Sequence, residues 1–409
     1  MKKFYFLFLI PIFLMGQNLD ELIDLSIKNR LVDSYKNDLE SLNKEYKSVR
    51  SSYLPSLNLN ANYSKAKNET AATPNSSSSV SASLDYVLYD GGKKYDRYSS
   101  YEMSIKSKQL DLAFIKNQLA LDVTTLYYNY LSLLAKKDAK NKEIEQLNAQ
   151  HKRLSRFLDA GTTTKDELQK IIFRAQSANV NLHEIELQLQ TIIHNLEYIT
   201  GQNISIEDGS SIKLVENNEN KKNRADIESL GFQVSSLYEN AQAVKSDYLP
   251  TITLSNTYTY SDMNYDNSGY QVANDDQNIL SLNLKWNLYS FGETKEKYES
   301  SLKKYASSKA KYEYEKNKAL TDLKLANKAY SIAKVKIKSA QAGLMAANSA
   351  YEVIKSKYQS GLIDNIAFLE SLSEKYEAIS VLKNAFYDLE IKKANIIYHS
   401  GKNIKEYIK

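Results

Sequence analysis

The chain has 409 residues, which is room for two ordinary domains or for one long repeated domain. Its net charge of +5 is spread over 54 basic and 49 acidic residues, so no basic block indicates a nucleic-acid partner. Cysteine is absent, which excludes disulfides, thiolate metal sites and cysteine nucleophiles.

The N-terminus has the pattern of an export signal. A basic start is followed by an apolar stretch over residues 4–15, which is too short to be a membrane-spanning helix. We predict a signal peptide over residues 1–16, cleaved after Gly16, although Leu14 stands where a small residue is usual. Gln17 follows at the position where a lipoprotein would need cysteine. Because no later apolar run approaches spanning length, the chain is either soluble outside the inner membrane or inserted in an outer membrane as strands.

Two long segments of the chain repeat each other. The stretch SYLPSLNLNANYS at 52–64 is similar to DYLPTITLSNTYTYS at 247–261. The apolar helical positions that precede these stretches correspond in the same way, with Val32 matching Ile227. We therefore predict a tandem duplication with a polar connection. Its predicted parts are a first repeat over 17–200, a linker over 201–223 and a second repeat over 224–409.

Each repeat has the same order of predicted elements: a helix, two strands, a very long helix, a break and a last helix. The strands are recognised because the apolar period changes abruptly from about 3.6 residues to 2. In the first repeat we predict strands at about 53–64 and 80–90, a long helix to about 156 and a last helix to about 200. In the second repeat we predict strands at about 248–261 and 279–290, a long helix to about 357 and a last helix to about 400.

Each predicted strand has one apolar face and one polar face. A soluble sandwich would give the same pattern if another layer covered the apolar face. Strands of about ten residues behind an export signal favour a membrane barrel, but four strands are too few, because membrane barrels start at about eight. Several chains must therefore contribute strands, since an open sheet edge is not tolerated in lipid. The predicted lipid-facing residues are Leu57, Leu59, Leu282, Leu284 and Trp286.

The long helices carry a heptad pattern. Apolar residues lie seven apart from Leu323 to Tyr358, and a row rich in alanine repeats three positions later, starting at Ala326. Alanine on one row lets neighbouring helices come close, whereas a simple dimeric zipper normally has larger residues at both positions. We therefore predict coiled-coil packing of these helices.

These features together resemble the TolC-type outer membrane factors. The resemblance rests on the two helix–strand–strand–helix repeats, the export signal, Tyr-Leu-Pro before a strand, and the segment NRADIESL at 223–230. Ala225 in that segment stands where the family usually has proline. The implied fold is mainly α with a β-barrel segment. The tandem-repeat protomer gives four transmembrane strands and a long coiled-coil α-helical barrel, and the assembly is trimeric.

The resemblance also implies a function in the cell outer membrane, with the chain extending into the periplasm. The homotrimer would be the exit duct of a tripartite efflux pump for drugs or toxic small molecules. An inner-membrane transporter of RND or ABC type would energise it through a periplasmic adaptor protein. Two alternatives stay open: an exit duct for one-step (type I) protein secretion, and a structural coiled-coil protein of the envelope. The alternating strands argue against the second alternative.

No catalytic or metal-binding set can be assembled from the sequence. The four histidines include no pair with helix-face ligand spacing, and no nucleophile, base and orienting residue stand at a recognisable spacing. We therefore expect neither an enzyme nor a cofactor.

Two helix breaks, at 156–168 and 357–369, correspond to the periplasmic tips of the family, where the duct narrows and an adaptor hairpin docks. The candidate constriction residues are Asp364 and Asp166. The candidate adaptor-docking residues are Ala160, Gly161, Thr162, Ser360, Gly361 and Leu362.

A purely local interpretation of these breaks also stays open. Glycine is the commonest residue after the end of a helix, which accounts for Gly161 and Gly361. Thr164 and Glu167 have the spacing of a capping box for the next helix. Asp364 can cap the helix that starts at Asn365 without facing the duct at all.

Overall fold

The computed structural model describes residues 16–213, 223–266, 269 and 275–409. The predicted signal peptide up to residue 15 and the middle of the predicted linker lie outside the described residues. In the described part of the chain, no helix combines the length and the apolar character that crossing a membrane would require.

The two halves of the chain have the same order of elements from the helix before the strands onward, and the first half begins with one additional short helix that the sequence did not indicate. The first half contains α1 (Leu19–Ser26), α2 (Arg30–Ser52), β1 (Ser56–Lys65), β2 (Ser76–Tyr89), α3 (Lys93–Asp159) and α4 (Lys165–Thr200). The second half contains α5 (Ala225–Lys245), β3 (Thr251–Asn264), β4 (Asp276–Lys285), α6 (Glu293–Gln359) and α7 (Asn365–His399). Short 3-10 helices lie at Ser246–Tyr248 and Ile404–Tyr407. Apart from α1, the matching element order agrees with the predicted duplication.

Helices α3 and α6 are each 67 residues long, which corresponds to about 100 Å at ~1.5 Å per residue. They run without interruption because α3 contains neither proline nor glycine, and α6 contains only Gly343. Along α6, the heptad positions from Leu323 to Tyr358 are buried or half-buried. Ala326 and Ala333, on the alanine-rich row three positions later, are buried. The heptad pattern therefore marks the face of α6 that packs within the protomer.

The chain divides into two compact units, and the first comprises the described residues of 1–34, 112–225 and 317–409. This unit is helical and has two buried clusters. The first cluster includes Leu19, Leu22, Tyr127, Tyr128, Leu196, Ile397 and Ile404. The second cluster includes Leu147, Leu154, Ile171, Tyr351, Phe368 and Leu372. The second cluster draws residues from all four long helices of the unit, so it holds the ends of those helices together.

Short segments of extended chain pair beside the first cluster. Gln17 forms a parallel bridge with Ile206, and Ile212 forms an antiparallel bridge with Ile408. The Tyr128 hydroxyl donates to the Ser210 carbonyl at 3.1 Å. Burial raises the pKa of Tyr128, so its hydroxyl stays protonated and keeps this donor. The start of the linker and the C-terminus are thus fixed to the helical core.

The second unit comprises the described residues of 35–111 and 226–316, and it contains the sheet. The sheet is antiparallel with the order β1-β2-β3-β4, so the central pair β2 and β3 joins the two repeats. Helices α3 and α5 approach closely through small residues. Ser100 lies 2.9 Å from Ser236, and Ser107 lies 2.8 Å from Ser229, hydroxyl to hydroxyl.

Strand β4 ends earlier than the sequence indicates, at Lys285 instead of about residue 290. The alternation of apolar and polar residues continues to Leu288, but strand β3 begins only at Thr251, and Thr251 pairs with Lys285. Residues after Lys285 therefore have no partner on β3. Phe291, with a φ of 49°, and Gly292, with a φ of 92°, then turn the chain into α6.

Two strands begin earlier than the sequence indicates, β2 at Ser76 and β4 at Asp276. Their first residues are polar on both faces, so they give no signal of period two. They belong to the strands because their backbone groups pair, as in the partnership of Ser76 with Lys65.

Candidate functional site: the strand faces and the helix breaks

The sheet presents an apolar face formed by all four strands. Direct cross-strand partners on this face include Leu57 with Leu84, and Leu282 with Leu254. Because partners across an antiparallel pair share a face, every second residue of each strand falls on this surface. The strand residues predicted to face lipid are Leu57, Leu59, Leu282 and Leu284, which all lie on this face and are 63% to 76% exposed.

Trp286 differs from the other predicted lipid-facing residues because it lies beyond the end of β4. Its indole N–H donates to the carbonyl oxygen of Tyr248 at 3.0 Å. The tryptophan is half exposed, and it joins the exit of β4 to the 3-10 turn that precedes β3. The alternation in the sequence could not reveal this, because it continues past the last paired residue.

The opposite face of the sheet is lined by serine, threonine and asparagine. One acidic residue, Asp85, lies on this face in strand β2. Its carboxylate accepts hydrogen bonds from the Ser255 hydroxyl at 2.7 Å, the Ser83 hydroxyl at 3.2 Å and the Asn58 amide at 3.3 Å. Sequence reasoning missed this residue, although it is the one carboxylate in the polar positions of β1 and β2.

The first helix break ends α3 with a Schellman motif. The Thr162 N–H donates to the Phe157 carbonyl at 2.8 Å, and the Gly161 N–H donates to the Leu158 carbonyl at 3.0 Å. Gly161 has a φ of 71° with open space around its Cα, so the left-handed backbone, and not crowding, favours glycine there. Ala160, Gly161 and Thr162 are all exposed.

The second helix break repeats this geometry at the end of α6. The Leu362 N–H donates to the Lys357 carbonyl at 2.9 Å, and the Gly361 N–H donates to the Tyr358 carbonyl at 3.1 Å. Ser360, Gly361 and Leu362 are exposed, and Leu362 leaves 73% of its surface in solvent. The two breaks therefore have the same backbone and differ in the side chains that they present.

Asp364 caps the helix that follows the second break. Its Oδ1 accepts the Ala367 N–H at 3.0 Å, which satisfies one of the free donors at the start of α7. The Asp364 side chain is exposed, so its charge faces water. The interpretation of Asp364 as a helix cap is therefore confirmed.

The predicted capping box of Thr164 and Glu167 is wrong. Thr164 is the N-cap residue of α4, but its side chain makes no capping hydrogen bond. The Glu167 carboxylate accepts instead from the Thr163 hydroxyl at 2.7 Å. The Thr164 hydroxyl bonds to Asp166 and, with the Lys170 ammonium at 3.5 Å, lowers the pKa of the Asp166 carboxyl. A charged acceptor competes well with a backbone N–H for this threonine, because charge-assisted hydrogen bonds are the stronger ones.

Side chains behind the two breaks pack against one another. The Tyr358 ring stacks on Phe368 with 4.7 Å between centroids, and the Arg153 guanidinium lies 5.6 Å from the Tyr358 ring centre. Asn365 is also buried here, 2% exposed, and neither polar atom of its side chain has a hydrogen-bond partner in the described structure. Sequence reasoning missed Asn365, because nothing in its neighbourhood along the chain indicates burial.

Within the described ranges, no group of three or more histidine, aspartate or glutamate side chains is arranged to hold a metal ion.

Comparison with known proteins gives a consistent result over nearly the whole chain. The family model described as outer membrane efflux protein matches residues 24–202 and 218–398, which correspond to the two repeats. The outer membrane protein TolC of Vibrio cholerae serotype O1 is 23% identical over 367 residues, covering 83% of this chain and 80% of TolC.

Solved structures show the same fold. The outer membrane protein VceC from Vibrio cholerae has a TM-score of 0.84 at 16% identity, covering 94% of this chain and 96% of VceC. The Campylobacter jejuni CmeC outer membrane channel has a TM-score of 0.84 at 18% identity, covering 94% of this chain and 86% of CmeC. With the family model matching both repeats, the chain belongs to the outer membrane efflux protein family, and it is a TolC-like protein of the outer membrane.

Proposed function

We propose that three copies of this chain form the outer-membrane exit duct of a tripartite efflux pump. Each copy contributes its four strands to one closed barrel and its long helices to a tunnel in the periplasm. The observation that carries this proposal is the sheet, in which β1 and β4 are the end strands. Each end strand offers backbone donors and acceptors that no strand of the described chain pairs. An apolar, lipid-compatible face cannot coexist with such open edges in a membrane, so copies of the chain must close the sheet.

The helical unit supports the same assembly with an apolar stripe. On α4, the side chains of Phe173, Val180 and Leu187 lie seven residues apart and are 69%, 59% and 69% exposed. Side chains at this spacing form one row along a helix, the arrangement by which coiled coils pack. Within the described protomer this row is left in solvent, so it is available to a neighbouring copy.

A groove between α6 and α7 offers the matching surface. Its volume is ≈ 1120 Å³, and its small and apolar lining residues include Ile332, Val335, Ala340, Gly343, Ala378 and Val381, with charged residues such as Lys336 and Glu377 also in the lining. The alanines and the glycine leave room for large side chains such as those on α4. Because the stripe and the groove belong to different helices, their contact is heterologous, and repetition of a heterologous contact can close into a ring.

The remaining partners of the pump would meet the helix breaks. The six exposed residues of the two Schellman turns bond their backbone N–H groups within the turns, and their exposed surface would contact a periplasmic adaptor hairpin. An inner-membrane transporter of RND or ABC type would supply the energy through that adaptor. Small toxic compounds are the substrate class that the family description favours, because it names efflux and not secretion.

Deletion of the gene tests the function. The deletion strain should become more sensitive to several chemically unrelated toxic compounds, and the gene supplied on a plasmid should restore resistance. A variant with Leu187→Lys, which should not assemble, is the matched control for the plasmid. Unchanged sensitivity together with the loss of a secreted polypeptide would instead favour a duct for protein secretion.

A further inference from the structure

The polar face of the sheet carries very little charge. The register of the ladders places every second residue of the strands on this face, from Ser56 on β1 to Lys285 on β4. Among the described strand residues on this face, Asp85 and Lys285 are the only charged ones. The other charged residues of the strands, among them Asp276, point to the opposite face.

Asp85 is held in place without being neutralised. Its three hydrogen-bond donors are two hydroxyls and one amide, from Ser255, Ser83 and Asn58. No cationic side chain in the described part of the chain forms an ion pair with it. Neutral donors orient a carboxylate and favour its charged form but leave its charge in place.

Lys285 is too far along the sheet to compensate this charge. Asp85 pairs with Ser255, whereas Lys285 pairs with Thr251, which lies four residues earlier on β3. At ~3.3 Å per residue the two side chains are separated by about 13 Å along the strand direction alone. This separation exceeds the Debye length of about 8 Å at physiological ionic strength. Lys285 therefore does not neutralise the negative charge of Asp85.

We propose that Asp85 determines the ion selectivity of the barrel lumen. This inference rests on the proposed function, in which the polar face lines the lumen and each protomer repeats Asp85 at the same height. The result is a ring of carboxylates on an otherwise neutral wall of hydroxyls and amides. Such a ring raises the local concentration of cations and repels anions. Cationic solutes would therefore pass the barrel more readily than anionic solutes of the same size.

A competing role for Asp85 is structural. Its bond to Ser255 joins β2 to β3, and thus the first repeat to the second. The substitution Asp85→Asn separates the two roles, because asparagine keeps an oxygen that can accept from Ser255 but removes the charge. Asp276→Asn is the matched control, since Asp276 makes an equivalent bond with the Tyr258 hydroxyl at 3.1 Å on the opposite face.

The test is single-channel recording of the purified full-length protein in planar bilayers under a KCl gradient. Both substitutions are made in an Asp364→Ser background, so that the Asp364 charge at the second helix break does not mask charge in the barrel. Asp85→Asn should lower the ratio of cation to anion permeability by about twofold or more, an effect that should disappear at about 1 M salt because the ring faces water. Asp276→Asn should leave the ratio unchanged.

The outcomes separate this inference from the proposed function. Channels of normal conductance whose selectivity does not respond to Asp85→Asn would overturn the role of Asp85 while leaving the duct intact. An equal change in both variants would also overturn it, because the effect would not depend on the face. A wild-type protein that forms no channels would overturn the duct itself and with it the role of Asp85.

Discussion

At the scale of single residues, Asp364 combines a capping hydrogen bond with an exposed charge. Serine caps a helix nearly as well as aspartate but carries no charge, so Asp364→Ser should leave the thermal stability of the assembled protein nearly unchanged. If this carboxylate lines the periplasmic mouth, the same variant should reduce cation selectivity and block by multivalent cations in single-channel recordings. Conductance, selectivity and block that all match the wild type would leave Asp364 as a cap only.

For Asn365 we predict that a substitution increases stability, because this buried side chain has no hydrogen-bond partner in the described structure. An unpaired amide costs about 1–3 kcal/mol when it is buried. Leucine has the same branched shape without the polar atoms, so Asn365→Leu should increase the free energy of unfolding by about that amount. Thermal unfolding followed by circular dichroism in detergent would measure the change.

The control for Asn365 is Asn395, whose amide donates to the Ile391 carbonyl at 2.8 Å. Asn395→Leu should bring no gain in stability, since its amide is already satisfied. A lower unfolding temperature for Asn365→Leu than for the wild type would mean that an ordered water satisfies Asn365 in solution.

At the scale of elements, the two faces of β4 should respond differently to the same charge. Leu284 shares the apolar face with Ile252, whereas Asn283 shares the polar face with Thr253. An arginine on the lipid face of a barrel costs ~2–4 kcal/mol near the bilayer midplane, so Leu284→Arg should impair insertion while Asn283→Arg should be tolerated. Quantitative immunoblots of outer-membrane fractions would compare the two variants. Equal levels would contradict the assignment of the faces, and a one-residue change of register would invert the result.

At the scale of the whole molecule, the proposed assembly predicts the molecular mass of the protein in detergent. The protein extracted from outer membranes should behave as a homotrimer in light scattering, because four strands cannot close a membrane barrel. A monodisperse monomer that still conducts ions would contradict the shared barrel.

Leu187→Lys tests the contact between copies directly. Leu187 is 69% exposed in the protomer, so the change should not harm folding of the chain. In the trimer it would replace an apolar contact by a desolvated ammonium group, which is unfavourable, and the trimer should dissociate. Gln188→Lys is the control, because it adds the same charge about 100° further around the helix. Equal trimer fractions for both variants would exclude the α4 stripe from the contact.

Much of the architecture could be predicted because it depends on local patterns. The alternation through Leu57 and Leu59 identifies a two-faced strand, and the heptad from Leu323 identifies the packed face of α6. The glycine breaks could be predicted for the same reason, since a Schellman turn involves only six consecutive residues. Each of these patterns depends only on residues that are close together along the chain, so it can be recognised from the sequence alone.

The duplication, the succession of strands and long helices and the two faces of each strand could be predicted, because these follow from periodicity and from the correspondence of the repeats. The end of β4 could not be predicted, since it depends on where the partner strand β3 begins. The burial of Asn365 and the bond of Asp85 to Ser255, which is 170 residues away, became evident only from the three-dimensional structure. Contacts of this kind are formed by residues distant in the chain, and no local pattern specifies which of them meet.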